Sequence, residues 1–166
     1  MSSSPQSSRQ IHLSIVVQPP TMVGLGEFLV PPVVARTSDP EILQIAMGHA
    51  TKYIFASLVL ESTTGKIYTA ALNEGASDSG HLVQNSGGSG GSSSSAGYYV
   101  YFIFNSVSIS KAGTYTIAVL VHIMENATCW TVGKKSTRQI TVVNDAVPAE
   151  RPSKSHPFLD LQGPRD

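Results

Sequence analysis

Five histidines, His12, His49, His81, His122 and His156, are the residues best suited to hold a metal or move a proton, and their spacing argues against both. No two stand four apart as on one helix face, and no two alternate as on one strand, so the short local ligand spacing common in zinc sites is missing. Neither a metal nor a cofactor is expected. The single cysteine, Cys129, excludes an intrachain disulfide and any site needing two cysteines. Beside Trp130 it reads as a buried small apolar side chain rather than a nucleophile. Gly24-Leu25-Gly26 lacks the third glycine of a dinucleotide fingerprint and the Gly-Lys-Ser/Thr ending of a phosphate loop. The carboxylates are dispersed, with no close pair for acid–base work. None of these patterns points to an enzyme.

The chain has eleven basic and eleven acidic residues, so any grip on nucleic acid must come from a local cluster or from a partner. One cluster exists, Lys134-Lys135-Ser136-Thr137-Arg138. The spacing predicts a hairpin turn over 133–137, flanked by strands at 128–132 and 138–143. On such a turn Lys134, Lys135, Ser136 and Arg138 could hold phosphates, with Arg36 as an outlying cation. The same residues also fit an ordinary solvated turn. Lys52, Lys66 and Lys111 could enlarge the patch only if folding gathers them. The aromatic run Tyr98 to Phe104 could stack bases, but its continuous apolar character suits a core strand with Tyr99 and Tyr101 turned toward a partner subunit.

These side chains need a scaffold, and the pattern of the chain predicts an all-β one. Hydrophobic residues make up 41% of 166, enough for one packed domain. Residues 1–10 read as a disordered tail without the apolar core of a signal peptide, residues 11–147 as the domain, and residues 148–166 as a Pro-rich segment. No apolar run is long enough to span a bilayer as a helix. Strands are expected at 11–17, 31–36, 53–60, 66–72, 98–104 and 114–124. Ser38-Asp39-Pro40-Glu41 predicts a capped helix ending near Gly48. Residues 85–97, almost pure Gly and Ser, read as a flexible loop, natural or engineered, long enough to cross between stacked sheets. Seven or eight short strands with little helix predict an antiparallel β-sandwich of immunoglobulin type.

The stretch Gln18 to Val34, QPPTMVGLGEFLVPPVV, is bracketed by Pro19-Pro20 and Pro31-Pro32, which interrupt sheet pairing. It reads as a loop between two strands, with glycines where φ turns positive. It contains no Lys or Arg, and Phe28, Leu29 and Val30 suit contact with protein better than with phosphate.

The order of motifs resembles the velvet domain of fungal developmental regulators. The resemblance runs from Ile11 to about Gly163. It rests on Gln18-Pro19, on the Met-x-Gly-x-Gly-acid run from Met22 through Gly24 and Gly26 to Glu27, and on Pro31 to Val34. Further along, Phe55 to Leu58, Val107 to Ser110 leading to Gly113-x-Tyr115, and Phe158 to Gly163 continue it. The resemblance implies an immunoglobulin-like sandwich similar to the Rel/NF-κB DNA-binding domain, and homo- or heterodimers with other velvet proteins. It also implies association with a methyltransferase-like regulator, residence in nucleus and cytoplasm, and control of sporulation and secondary metabolism. The family follows its Gly-x-Gly-acid run with a Lys/Arg-rich stretch that meets DNA. Here Phe28-Leu29-Val30 stands in that place, and Val23 replaces a family cysteine. Each phosphate no longer neutralised would flatten the salt dependence of duplex binding by about 0.9 units of slope. Three functions remain in play: a dimeric regulator with weak or partner-dependent DNA binding, a dimerisation module without DNA binding, and an unrelated sandwich binding a carbohydrate or other ligand.

Overall fold

Alternation of apolar and polar side chains builds two facing sheets in the computed structural model, which describes residues 9–85 and 97–148. The first sheet contains β1 (Ser14–Val17), β3 (Val33–Thr37), β6 (His81–Gln84) and β7 (Tyr98–Phe104), in the order β1-β3-β7-β6. The second contains β2 (Met22–Gly24), β4 (Tyr53–Ser62), β5 (Ser77–Asp78), β8 (Gly113–Glu125), β9 (Thr128–Ser136) and β10 (Ile140–Val143). Its order is β2-β10-β8-β4-β5, with β9 also on β8. In immunoglobulin lettering the sheets are A-B-E-D and A′-G-F-C-C′, with β9 and β10 together standing in the place of strand G beside β8, so the chain is an immunoglobulin-like β-sandwich. Val33, Ala35, Phe102 and Phe104 of one sheet and Leu58, Leu60, Ile117, Val119 and Val121 of the other belong to one buried core.

A further signature of this fold lies at the start of β8. The Tyr115 hydroxyl donates to the Ala112 carbonyl at 3.0 Å, a tyrosine corner that ties the strand to the loop before it. Tyr115 is buried, and burial, with a smaller push from Tyr68, raises its phenol above the ordinary tyrosine range. Gly113 precedes it at φ +149, and a Cβ there would come within 2.9 Å of the tyrosine ring.

The helix α1 (Pro40–Ala46) forms where the sequence predicts one, with a different cap. Asp39 rather than Ser38 is the N-cap; its carboxylate accepts from the Glu41 and Ile42 amides at 3.0 and 3.4 Å. Gly48, at φ +79, closes the other end. Arg9, inside the expected tail, pairs with Asp39 and with Glu41, so that residue is tied to the helix.

Three expectations are corrected. Residues 66–72 are not a strand: an isolated bridge joins Ile67 to Glu61, and Thr69–Ala71 makes a 3-10 turn. The strands on either side of the Gly/Ser run lie in one sheet rather than in two, because β6 and β7 are neighbours and the Asn85 amide bonds the Gly97 carbonyl at 2.7 Å. Residues 86–96 themselves, like 1–8 and the closing 149–166 with Phe158 to Gly163, lie outside the described residues. Finally, 133–137 is not a turn. The hairpin turn is Asn126-Ala127, both at positive φ (48° and 64°), as a two-residue turn between antiparallel strands requires. After it β9 runs unbroken through Gly133, Lys134 and Lys135 to Ser136, displaced by a register shift near Val132. Gly133 is needed for close packing, since a Cβ there would lie 2.6 Å from Ile11. Thr137 then hands the chain to β10: its amide donates to the Ile117 carbonyl at 2.8 Å and its hydroxyl accepts from the Ile117 amide at 3.0 Å. Among the described residues no helix is long and apolar enough to cross a membrane.

Candidate functional site

The Gln18 to Val34 stretch is held by backbone pairing at almost every step. β2 lies parallel to β10, Met22 against Thr141 and Gly24 against Val143, so part of the expected loop is an edge strand. Gly24 to Glu27 then closes a turn, with the Glu27 amide donating to the Gly24 carbonyl at 3.1 Å and Gly26 at φ +74. Positive φ at the third residue is what a type II turn demands, which accounts for the second glycine. The first is accounted for by crowding: a Cβ on Gly24 would meet the Glu27 carboxyl carbon at 2.7 Å and the Asp145 carbonyl at 2.9 Å. Glu27 completes the latch, accepting from the Gly24 amide at 3.2 Å and from the Val147 amide at 3.3 Å. The Met-x-Gly-x-Gly-acid run therefore fixes backbone, and its carboxylate faces two amides rather than a phosphate.

Beyond the latch the chain alternates. The Leu29 amide bonds the Val107 carbonyl at 2.8 Å and its side chain is buried at 1% exposure, whereas Phe28 is 60% exposed and Val30 44% exposed. Met22 and Leu25 are exposed beside them. Pro20, Met22, Phe28, Val30, Val147 and Pro148, together with Glu27, line an open groove of about 370 Å³. Of the expected apolar contact residues, Phe28 and Val30 face outward, and Leu29 is corrected to a core anchor. A rigid backbone presenting large apolar side chains around a groove is a surface that gains by being covered.

The basic residues are not gathered in one place. Lys134 lies on the exposed side of β9, and its ammonium pairs with Glu61 at 2.6 Å. Arg138 turns toward the proline run, where Nε and Nη2 donate to the Pro19 carbonyl at 3.0 and 2.8 Å, and its amide donates to the Gln18 side chain at 2.9 Å. Lys135 and Ser136 are exposed at the end of β9, and Cys129 near its start, expected to be buried, is exposed as well. Arg36 lies on the other sheet, stacked on Tyr99 at 4.3 Å from the ring centroid and donating to the Tyr101 hydroxyl at 3.3 Å. Tyr99 and Tyr101 are half-buried beside it, while Val100, Phe102 and Phe104 point into the core.

A constellation invisible in the sequence sits on the outer side of the second sheet. His122 Nε2 and the Ser57 hydroxyl are 2.8 Å apart, and His122 Nδ1 and the Thr131 hydroxyl 3.0 Å. Phe55 stacks on the imidazole at 4.8 Å. Burial holds the ring below the ordinary histidine range, which favours the neutral form. Ser57 and His122 sit in mid-sheet, with β4 paired to β5 and β8 and with β8 paired to β9. The strand amides around them therefore serve the ladder rather than a developing oxyanion. The hydroxyls satisfy a partly buried imidazole, a packing task. Ladder register, which places residue 57 beside 120 and 122 beside 131, was the missing signal. Among the described residues no group of three or more His, Cys, Asp or Glu side chains could hold a metal.

No protein-family model matches this chain, and no curated protein matches it.

Proposed function

We propose that this chain is a velvet-type transcriptional regulator of fungal development, sporulation and secondary metabolism. It acts as a homo- or heterodimer in nucleus and cytoplasm, and its DNA contact is weak or supplied through the partner. The observation that carries the reading is the latched loop from Met22 to Val30, which presents Phe28, Val30 and Met22 around a groove where the resembling family carries cations. A velvet-domain protein is the partner this reading requires, and a methyltransferase-like regulator is a second candidate. The immunoglobulin-like strand order and the tyrosine corner support the same reading, because both belong to the fold that the family implies.

A second reading, a dimerisation module without DNA binding, is favoured by the engagement of Lys134 with Glu61 and of Arg138 with Pro19. An ammonium already paired must give up that pairing to hold a phosphate. The two readings separate in a salt-dependent gel-shift titration of the chain alone and mixed with a velvet-domain partner. The first expects binding by the mixture with a steep salt slope and little by the chain alone. No contribution of the chain to affinity or slope in the mixture would leave the second.

A further inference from the structure

Two lysines far apart in sequence each stand over one aromatic ring, that of Tyr68. Lys66 leaves the turn after β4, where the Ser62 amide bonds the Lys66 carbonyl at 2.8 Å. The Tyr68 amide bonds the Leu60 carbonyl at 2.8 Å, so the tyrosine backbone is fixed to the sheet. Its ring meets Tyr115 edge-on at 5.9 Å, and Tyr115 is anchored by the tyrosine corner at Ala112. Lys111, next to that corner, places its ammonium 4.4 Å from the Tyr68 centroid, and Lys66 places its own at 5.1 Å. Sharing one ring, the two charges sit within about one Debye length of each other at 0.1 M salt, so their fields add.

Both lysines are exposed, and neither has a carboxylate partner among the described residues, unlike Arg9, Lys52 and Lys134. The ring attracts the cations but takes up none of the three N–H donors on each. Beside them Ile67, Tyr68, Thr69, Ala71, Ser110 and Lys111 line a depression of about 500 Å³, within the usual range for a small-molecule site. Its wall is firm, because Ser110 bonds the Ala71 carbonyl through its amide at 2.9 Å and its hydroxyl at 3.2 Å.

We propose that this depression binds a small organic phosphate, with the dianion held by Lys111 on its lining and by Lys66, which stands over the same Tyr68 ring outside that lining, and the organic part against Ile67, Tyr68 and Ala71. Two ammonium groups without carboxylate partners match a phosphate monoester, which carries close to two charges at neutral pH and loses one below about pH 6. The depression is open to solvent and offers Ile67 and Ala71 to the organic part. The site shares no lining residue with the groove of the apolar loop, so it stands or falls apart from the proposed regulator function.

The test is a titration of isotopically labelled full-length chain with phenyl phosphate at low ionic strength, followed by amide and lysine side-chain resonances. Expected are saturable shifts confined to residues 66–71 and 110–112, weaker below pH 6 as the second charge is lost. The Lys66→Ala/Lys111→Ala variant is expected to weaken binding by about tenfold or more, while Lys52→Ala, at a lysine stacked near Trp130, leaves it unchanged. No saturable shift, or equal binding by the double variant, would overturn the proposal. So would a short DNA duplex that shifts the same resonances when phenyl phosphate does not, since that would make the site a contact for nucleic acid.

Discussion

Replacing Arg138 with alanine separates two roles that its position in the basic cluster confounds. The guanidinium makes two hydrogen bonds to one carbonyl, that of Pro19, and Pro19 is buried. Removing it strands a buried acceptor, and deleting a charged hydrogen bond in this way costs about 1.5–3 kcal/mol. Arg138 itself is partly exposed, which places the expected loss near 2 kcal/mol. With a urea dependence of about 2 kcal/mol per molar, the unfolding midpoint should fall by about 1 M with an unchanged slope. Arg138→Lys keeps one charged donor and should lose less. Lys135→Ala, at an exposed side chain, should stay within about 0.5 kcal/mol. The assay is equilibrium urea unfolding of the three variants beside the wild type. An unchanged midpoint for Arg138→Ala, together with loss of DNA retention, would refute the argument and return Arg138 to phosphate binding.

Phe28 and Leu29 should part company when each is replaced by alanine. Leu29→Ala should cost about 2–5 kcal/mol in urea unfolding, while exposed Phe28→Ala should leave stability within about 0.5 kcal/mol and weaken partner capture. Gly26→Ala should cost about 1 kcal/mol through its positive φ, and Gly24→Ala more than that, because Glu27 or the Asp145 carbonyl must move; both show as lowered melting temperatures. His122 is held below the ordinary histidine range by burial, so below about pH 6.5 the unfolded chain takes up a proton that the folded chain resists. Stability should therefore fall as pH drops from about 7.5 to 5.5, and His122→Gln should lose less over that interval; parallel losses would contradict the assignment.

The sequence disclosed those parts of the fold whose periodicity is local. Tyr98 to Phe104 and Thr114 to Met124 declare themselves by β-branched and aromatic content, and both form strands. Residues 77–78 and 81–84 form strands with only Val83 of that kind, because pairing with β4 and β7 decides them. Gly133 to Thr137 has the composition of a turn but lies where a glycine admits Ile11 and a threonine hydroxyl takes over a backbone bond. Asn126-Ala127, the true turn, is a weaker signal because alanine rarely adopts positive φ. The basic cluster was legible as composition and illegible as a surface. Lys134 finds Glu61 seventy-three positions away and Arg138 finds Pro19 at a separation of 119, and no local rule reports such partners. The loop from Met22 to Val30 is legible as apolar and without cations; that its glycines and Glu27 form a latch depends on the neighbouring strand β10 and on Val147.

The proposed partner contact places the apolar loop, through Phe28 and Val30, against a velvet-type domain. Co-sedimentation of the full chain with a velvet-domain partner, repeated with Phe28→Ala/Val30→Ala, tests it most directly. A stable one-to-one complex is expected for the wild type and at least about a tenfold weaker one for the variant, with the variant's own stability unchanged. A wild-type chain that stays apart from every velvet domain, or a complex indifferent to the loss of Phe28 and Val30, would contradict it.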